Sequence, residues 1–267
     1  MRRTSQGNRP RHHGFAPLLL LVFVGALAGL VLGGGQSLWP LLENGAAPFW
    51  EEADGYGSPT PSVWNEATAP EYYQVVGSAL YVTDLGPGKA RYSSFDSLGR
   101  TRRAEARVTY EMMEAGRARE REDVSEIKPS GWGHNCEADV QQADGSWYHG
   151  YFWNRSHLIA KALGGTDGAD NLICGTRMQN VGSNSQGKGA GGMSYGETLV
   201  RSWLEEHRSG SVSYVVTPAY VENELVCRSV FVDILSSDGA LDLRIEVFNA
   251  AKGYVIDYTT GTFTPAV

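Results

Sequence analysis

Asn154-Arg155-Ser156-His157 sets a histidine next to a fixed positive charge at the end of an aromatic run, Trp147 to Trp153. An imidazole titrates near neutral pH and can take a proton from water, and an adjacent guanidinium can steer an anionic substrate. A lone histidine among aromatics is commonly a neutral, hydrogen-bonded structural residue. Here more chemistry follows it. The stretch Asn171-Leu172-Ile173-Cys174-Gly175-Thr176-Arg177-Met178-Gln179-Asn180 ends on an asparagine whose side-chain carbonyl can serve a hard cation. Glu197 and Arg201 come next at i,i+4 spacing, which as a plain salt bridge is worth a few tenths of a kcal/mol. Hydrolysis of a phosphodiester needs an activated water, a sink for negative charge and a stabilised leaving oxygen, and this set can supply them.

The ordered elements Asn154-Arg155-Ser156-His157, Asn171 to Asn180, Gly192-Met193 and Glu197 with Arg201 resemble the DNA/RNA non-specific endonucleases of the ββα-metal, or His-Me finger, superfamily. The likeness is strongest to secreted and surface nucleases of Gram-positive bacteria. It begins near Ser94-Phe95-Asp96-Ser97-Leu98-Gly99-Arg100, passes through Lys128-Pro129-Ser130-Gly131-Trp132 and continues to Ile256-Asp257-Tyr258-Thr259-Thr260-Gly261. The resemblance implies a general base at His157 and Mg²⁺, with Mn²⁺ as an alternative, on the Asn180 carbonyl. It implies that Glu197 acts on the metal through water, and that Arg201 contacts the scissile phosphate. Arg155 and Arg177 are further substrate-binding candidates, and Asn154 is expected to orient the His157 loop.

The better-known family motif is Asp-Arg-Gly-His, so Asn154 and Ser156 are departures. The first removes a negative charge, and no charged partner for the base is expected there. Between Asn180 and Gly192 lies the insertion Val181 to Gly191, whose Asn184 competes with Asn180 for the metal. Asn180 keeps the register set by Asn171 and Thr176. With no base-reading motif in view, both DNA and RNA are expected substrates with little sequence preference. A catalytically silent nucleic-acid-binding surface protein, such as a DNA uptake receptor, and a structural surface domain are the competing readings.

The chain has 267 residues, and 42% hydrophobic content against 20% charged excludes a disordered protein. A net charge of −7 argues against nucleic-acid binding through a generally basic surface, although the stretch from Arg155 to Arg208 is close to neutral. Arg2, Arg3, Arg9 and Arg11 precede an uncharged apolar stretch from Phe15 to Leu32. It is long enough to anchor the chain in a membrane with the rest outside, and Ala26-Leu27-Ala28 offers the alternative of a cleaved signal peptide. The expected organisation is a basic tail over 1–16, an anchor or signal over 17–33, a Gly/Pro/Ser/Ala-rich linker over 34–70 and the nuclease-like domain over 71–267. Trp64 and its neighbours in the linker fit either a membrane interface or the domain surface. Cys136, Cys174 and Cys227 allow one disulfide and one odd thiol, and His134-x-Cys136 lacks the paired spacing of a zinc site.

The elements that must hold the site in place read as an α+β fold with a largely antiparallel sheet. Alternation from Trp147 to Trp153 after the Asp144-Gly145 turn predicts a strand, and Leu172-Ile173-Cys174 a short buried one. Tyr195 to His207 has helical period, with Leu199, Val200, Trp203 and Leu204 on one stripe and Glu197 and Arg201 beside it. Strands are expected over Ser213 to Thr217, Leu225 to Leu235, Leu241 to Phe248 and Tyr254 to Tyr258. The charge-mixed stretch Ala104 to Glu126 reads as a solvated face, with Arg117, Arg119 and Arg121 as minor phosphate candidates.

Overall fold

A computed structural model describes residues 59–183 and 191–266. The basic tail, the expected anchor, most of the linker and Asn184 lie outside these residues. Among the described residues no helix is long and apolar enough to cross a membrane.

Among the described residues, twelve strands and three α-helices follow one another. Six strands form an antiparallel sheet: β1 (Tyr73–Gly77), β2 (Lys89–Tyr92), β3 (Ala104–Thr109), β8 (Ser211–Ala219), β9 (Ser229–Ser236) and β10 (Asp242–Phe248), in the order β1-β10-β9-β8-β3-β2. The α+β expectation holds. The prediction for 104–126 is corrected: Ala104, Ala106 and Val108 are fully buried, alternating with Glu105, Arg107 and Thr109. Alanine signals burial weakly, so charged neighbours masked a strict two-residue period. Thr109 then caps α1 (Tyr110–Ala118), accepting from the Met112 amide.

One face of the sheet packs on α1 and on α3 (Gly192–Glu206), joining Ala106, Tyr214 and Val216 to Met113, Val200, Trp203 and Leu204. A second apolar cluster gathers Tyr72, Phe152, Trp153, Cys174 and Met178, with Phe263 stacked on Phe152 at 3.8 Å. The ribbon of β6 (Trp153–His157) and β7 (Leu172–Thr176) runs between the two clusters. Ile173 enters the first and Cys174 the second, which explains an apolar run without alternation.

The aromatic run is two strands, not one. β4 (Glu137–Gln141) pairs with β5 (Trp147–Tyr151), and the chain bends at Phe152 before β6. Leu225 to Arg228 precedes β9 without joining it, and β11 (Tyr254–Asp257) pairs with β12 (Thr262–Pro265). Residues expected in the linker already pack on the domain: Trp64 stacks on Tyr72 at 4.7 Å, and the Ser62 amide donates to Glu246 at 2.8 Å. All three cysteines are free, Cys174 and Cys227 being buried and Cys136 exposed, so the disulfide that their number allows is not formed.

Candidate active site

β6 and β7 pair antiparallel with Trp153 opposite Thr176 and His157 opposite Leu172. Beyond β7, the Thr176 hydroxyl accepts from the Gln179 amide at 2.9 Å and starts α2 (Arg177–Val181), which carries Asn180 on its last turn. α3 follows and carries Glu197. The expected β-β-α order is therefore present, with a short helix inside it.

Two helix ends meet closely to bring Asn180 and Glu197 to one place. Gly192 has φ +54°, and a Cβ there would lie 2.4 Å from the Gln179 carbonyl oxygen; Gly182 has φ +73°, and a Cβ there would lie 2.5 Å from Gly191 Cα. Buried Glu71 joins the same ends, its carboxylate accepting from the Ser183 amide at 2.9 Å and its carbonyl from the Gly192 amide at 2.8 Å. Glu71 carries no local sequence signal for this role, because both partners are more than a hundred residues away.

A cavity of about 720 Å³ opens over the ribbon, and Asn154, Arg155, His157, Asn180 and Glu197 all line it. Arg177 and Arg201 are not on its wall. The Arg177 guanidinium lies over the Tyr148 ring at 5.3 Å. Burial lowers its pKa, and one of its nitrogens has no hydrogen-bond partner. Arg201 donates to the Thr198 hydroxyl at 2.9 Å and to the Glu197 backbone carbonyl at 3.4 Å, bonds to groups other than the Glu197 carboxylate. Arg155 donates to the backbone carbonyls of Ile127 and Ser125 and lies 4.2 Å over Trp132, which fixes the 120s loop as the cavity's far wall. Arg121 of that loop lines the cavity and is exposed.

His157 does have a charged partner. Its Nε2 lies 2.8 Å from Asp167 Oδ1, and the Asp167 side chain is only 3% exposed. The other oxygen of Asp167 accepts from the Glu122 amide at 3.2 Å and from Arg119 at 3.4 Å. The loop bearing Asp167 is held by Asn171, whose side chain accepts from the Ile159 amide and donates to the Ile159 and Thr166 carbonyls. The expectation that the base lacks a charged partner was drawn from position 154, and the charge is supplied from ten residues downstream instead. Burial opposes ionisation of Asp167, yet the His157 bond, the Glu122 amide and Arg119 hold its pKa below the ordinary value. Burial lowers the His157 pKa; Asp167 works against that, and Arg121 and Arg119 add to it.

Asn180 and Glu197 supply oxygen donors from two helices. Among the described residues the Asn180 carbonyl oxygen has one hydrogen-bond contact, a long one of 3.4 Å from the Ser156 hydroxyl. Desolvation pushes the Glu197 pKa up to about 7, with Arg201 pulling it the other way. A desolvated carboxylate beside a loosely held amide oxygen is short of positive charge, which a hard cation would provide. Among the described residues no group of three or more His, Cys, Asp or Glu could cage a metal ion.

The profile of the DNA/RNA non-specific endonuclease family matches residues 77–263. A deoxyribonuclease of Streptococcus dysgalactiae subsp. equisimilis is 41% identical over 117 residues, covering 44% of this chain and 34% of that relative's length. The chain thus matches about a third of that protein. The structure of Sda1 nuclease with bound zinc ion superposes with a TM-score of 0.70 at 29% identity, over 76% of this chain and all of that one. NucA from Streptococcus agalactiae with magnesium ion bound shares the fold, with a TM-score of 0.54 at 24% identity over 72% of this chain and 91% of that one. The match over most of the sequence, a span that contains the site just described, makes this chain a member of the DNA/RNA non-specific endonuclease family.

Proposed function

We propose that this protein is a metal-dependent endonuclease that hydrolyses phosphodiester bonds of DNA, and also of RNA, with little sequence preference. The observation that carries the reading is His157, backed by Asp167, on the same cavity wall as Asn180 and Glu197. In the neutral imidazole, the nitrogen facing Asp167 carries the proton, which leaves the other nitrogen to accept one from water. Asp167 fixes the ring and stabilises the imidazolium that forms. Its own burial limits the alternative geometries of the pair.

Asn180 would hold the cation directly and Glu197 through water, an all-oxygen set that favours Mg²⁺ or Mn²⁺. When bound, such an ion supplies positive charge for the developing negative charge on phosphate and leaving oxygen. Arg121 would draw the phosphate backbone into the cavity. Arg201 would favour the ionised form of Glu197 from the next turn of α3. Arg155 would act by holding the 120s wall, and Asn154, whose side-chain nitrogen is buried without a partner, by shaping the approach to His157.

The N-terminal sequence supports a second part of the proposal: residues 17–33 export the domain and retain it at the membrane as an uncleaved anchor, with the chain from 34 as the spacer up to Ser62 and Trp64, where packing on the domain begins. Protease added to intact cells should then release the domain, whereas a mature species in the medium starting near Gly29 would point to a cleaved signal. The catalytic proposal is tested by plasmid nicking. Supercoiled DNA should be nicked and linearised with Mg²⁺ supplied and left intact in excess chelator. Undiminished cutting in chelator would end the metal assignment.

A further inference from the structure

The hairpin of β4 and β5 turns one face to the protein and one outward. Ala138, Val140 and Tyr148 pack on the second apolar cluster, and the alternate residues Trp147, His149 and Tyr151 point away from it. Trp147 is 54% and Tyr151 60% exposed. Single exposed aromatics are ordinary on protein surfaces, but these two share a face. Their rings make no aromatic stacking or cation–π contact with another described residue.

Tyr151 also lines the cavity that holds His157, so the face is continuous with the candidate site. From there the ladder runs outward to Trp147, beside the Asp144-Gly145 turn. We propose that this outer face is a stacking platform for unpaired bases of the nucleic-acid strand being cut, with Tyr151 next to the scissile position and Trp147 at the far end. The inference rests on the nuclease reading and adds a preference to it.

Geometry and charge select the occupant. Residues two apart on a strand are separated by ~6.8 Å, so Trp147 and Tyr151 stand about 13–14 Å apart. In a duplex the bases follow every 3.4 Å and cover each other's faces; only an unstacked strand offers base faces to rings so widely spaced. Glu137 stands opposite Tyr151 and Asp139 opposite His149, with Asp139 bonded to His149 at 2.6 Å. Carboxylates on this face repel phosphate, so the face takes bases and leaves the backbone to Arg121 at the cavity. Stacking on tryptophan and tyrosine is tolerant of sequence, because every base has a π-face. Single strands, loops and frayed ends should therefore be held better than perfect duplex.

The test uses the full chain, its Trp147→Ala variant and the aromatic-retaining Trp147→Phe variant. The substrates are a single-stranded oligonucleotide and the same oligonucleotide annealed to its complement. The ratio of kcat/KM for single strand over duplex should fall about tenfold in Trp147→Ala, through KM, and stay within about twofold in Trp147→Phe. An unchanged ratio in Trp147→Ala, or an equal fall in both variants, would overturn the platform. If the wild-type chain cuts neither substrate, the nuclease reading has failed on its own. Binding of the single strand in chelator then decides the platform, which survives only if Trp147→Ala binds more weakly than wild type and Trp147→Phe.

Discussion

Two His–Asp pairs occupy neighbouring ribbons of this molecule and differ in everything but chemistry. On the β4–β5 hairpin, His149 and Asp139 meet at 2.6 Å with side chains 70% and 66% exposed. On the β6–β7 ribbon, His157 and Asp167 meet at 2.8 Å with side chains 21% and 3% exposed. The shorter contact is the weaker candidate for function. Water competes for both partners of the exposed pair and screens their charge, so its orientation is loosely determined. The enclosed pair has its remaining acceptor filled by Glu122 and Arg119, and it faces a cavity shared with Asn180 and Glu197. Enclosure and satisfied outer bonds separate the proposed base from a surface contact here, more than distance does.

Removing the proposed base is the strongest way to break the comparison. His157→Gly should lose about 10²-fold or more in kcat, with partial rescue by added imidazole that tracks its neutral fraction. Near-normal turnover without imidazole, or loss of Mg²⁺ affinity, would show that His157 is not the base. Asn180→Ala should also cut activity by about 10²-fold and raise the Mg²⁺ concentration needed for half activity. Asn184→Ala should do neither, and the reverse order would move the metal into the insertion.

Asp167→Asn sharpens the comparison at the partner. It should cost about tenfold in kcat, in the range of an orienting bond to a general base. The sign of the accompanying pH effect is fixed. Burial sets the His157 pKa below its ordinary 6.5, and Asp167 raises it toward that value. Loss of Asp167 should therefore move the acid limb of the kcat profile to lower pH, even as the plateau falls. A limb that stays in place would separate Asp167 from the base. Asp139→Asn is the matching change on the exposed pair, and thermal melts should place its effect on stability within about 0.5 kcal/mol. A larger loss would mean that enclosure is not what distinguishes the pairs.

The parts of the site that could be read in the sequence are those whose spacing is local. His157 ends a strand, Asn180 sits at a fixed offset from Thr176, and Glu197 lies on a helix whose stripe of Val200, Trp203 and Leu204 is plain. Asp167 was only one more acid in a loop of glycines and 3₁₀ turns, where no periodicity points a side chain anywhere. Arg121 sat in a run of mixed charge, and only the fold of the 120s loop against Arg155 brings it to the cavity. Arg177 and Arg201 looked alike as cations near the motif. Packing on Tyr148 and bonding to Thr198 decide their directions, and neither partner is signalled by spacing alone.

The pinch made by Glu71, Gly182 and Gly191 changes how the chain between α2 and α3 should respond to engineering. Because Ser183 and Gly192 are both bonded to one residue outside the insertion, the gap that segment bridges is set without reference to its length. Lengthening the segment should leave Asn180 where it is, and Mg²⁺-dependent plasmid nicking by the lengthened variant, within about twofold of the parent, would check it. The joint is thus a port: a tag, a reporter or a second binding module could be grafted there without asking α2 and α3 to move.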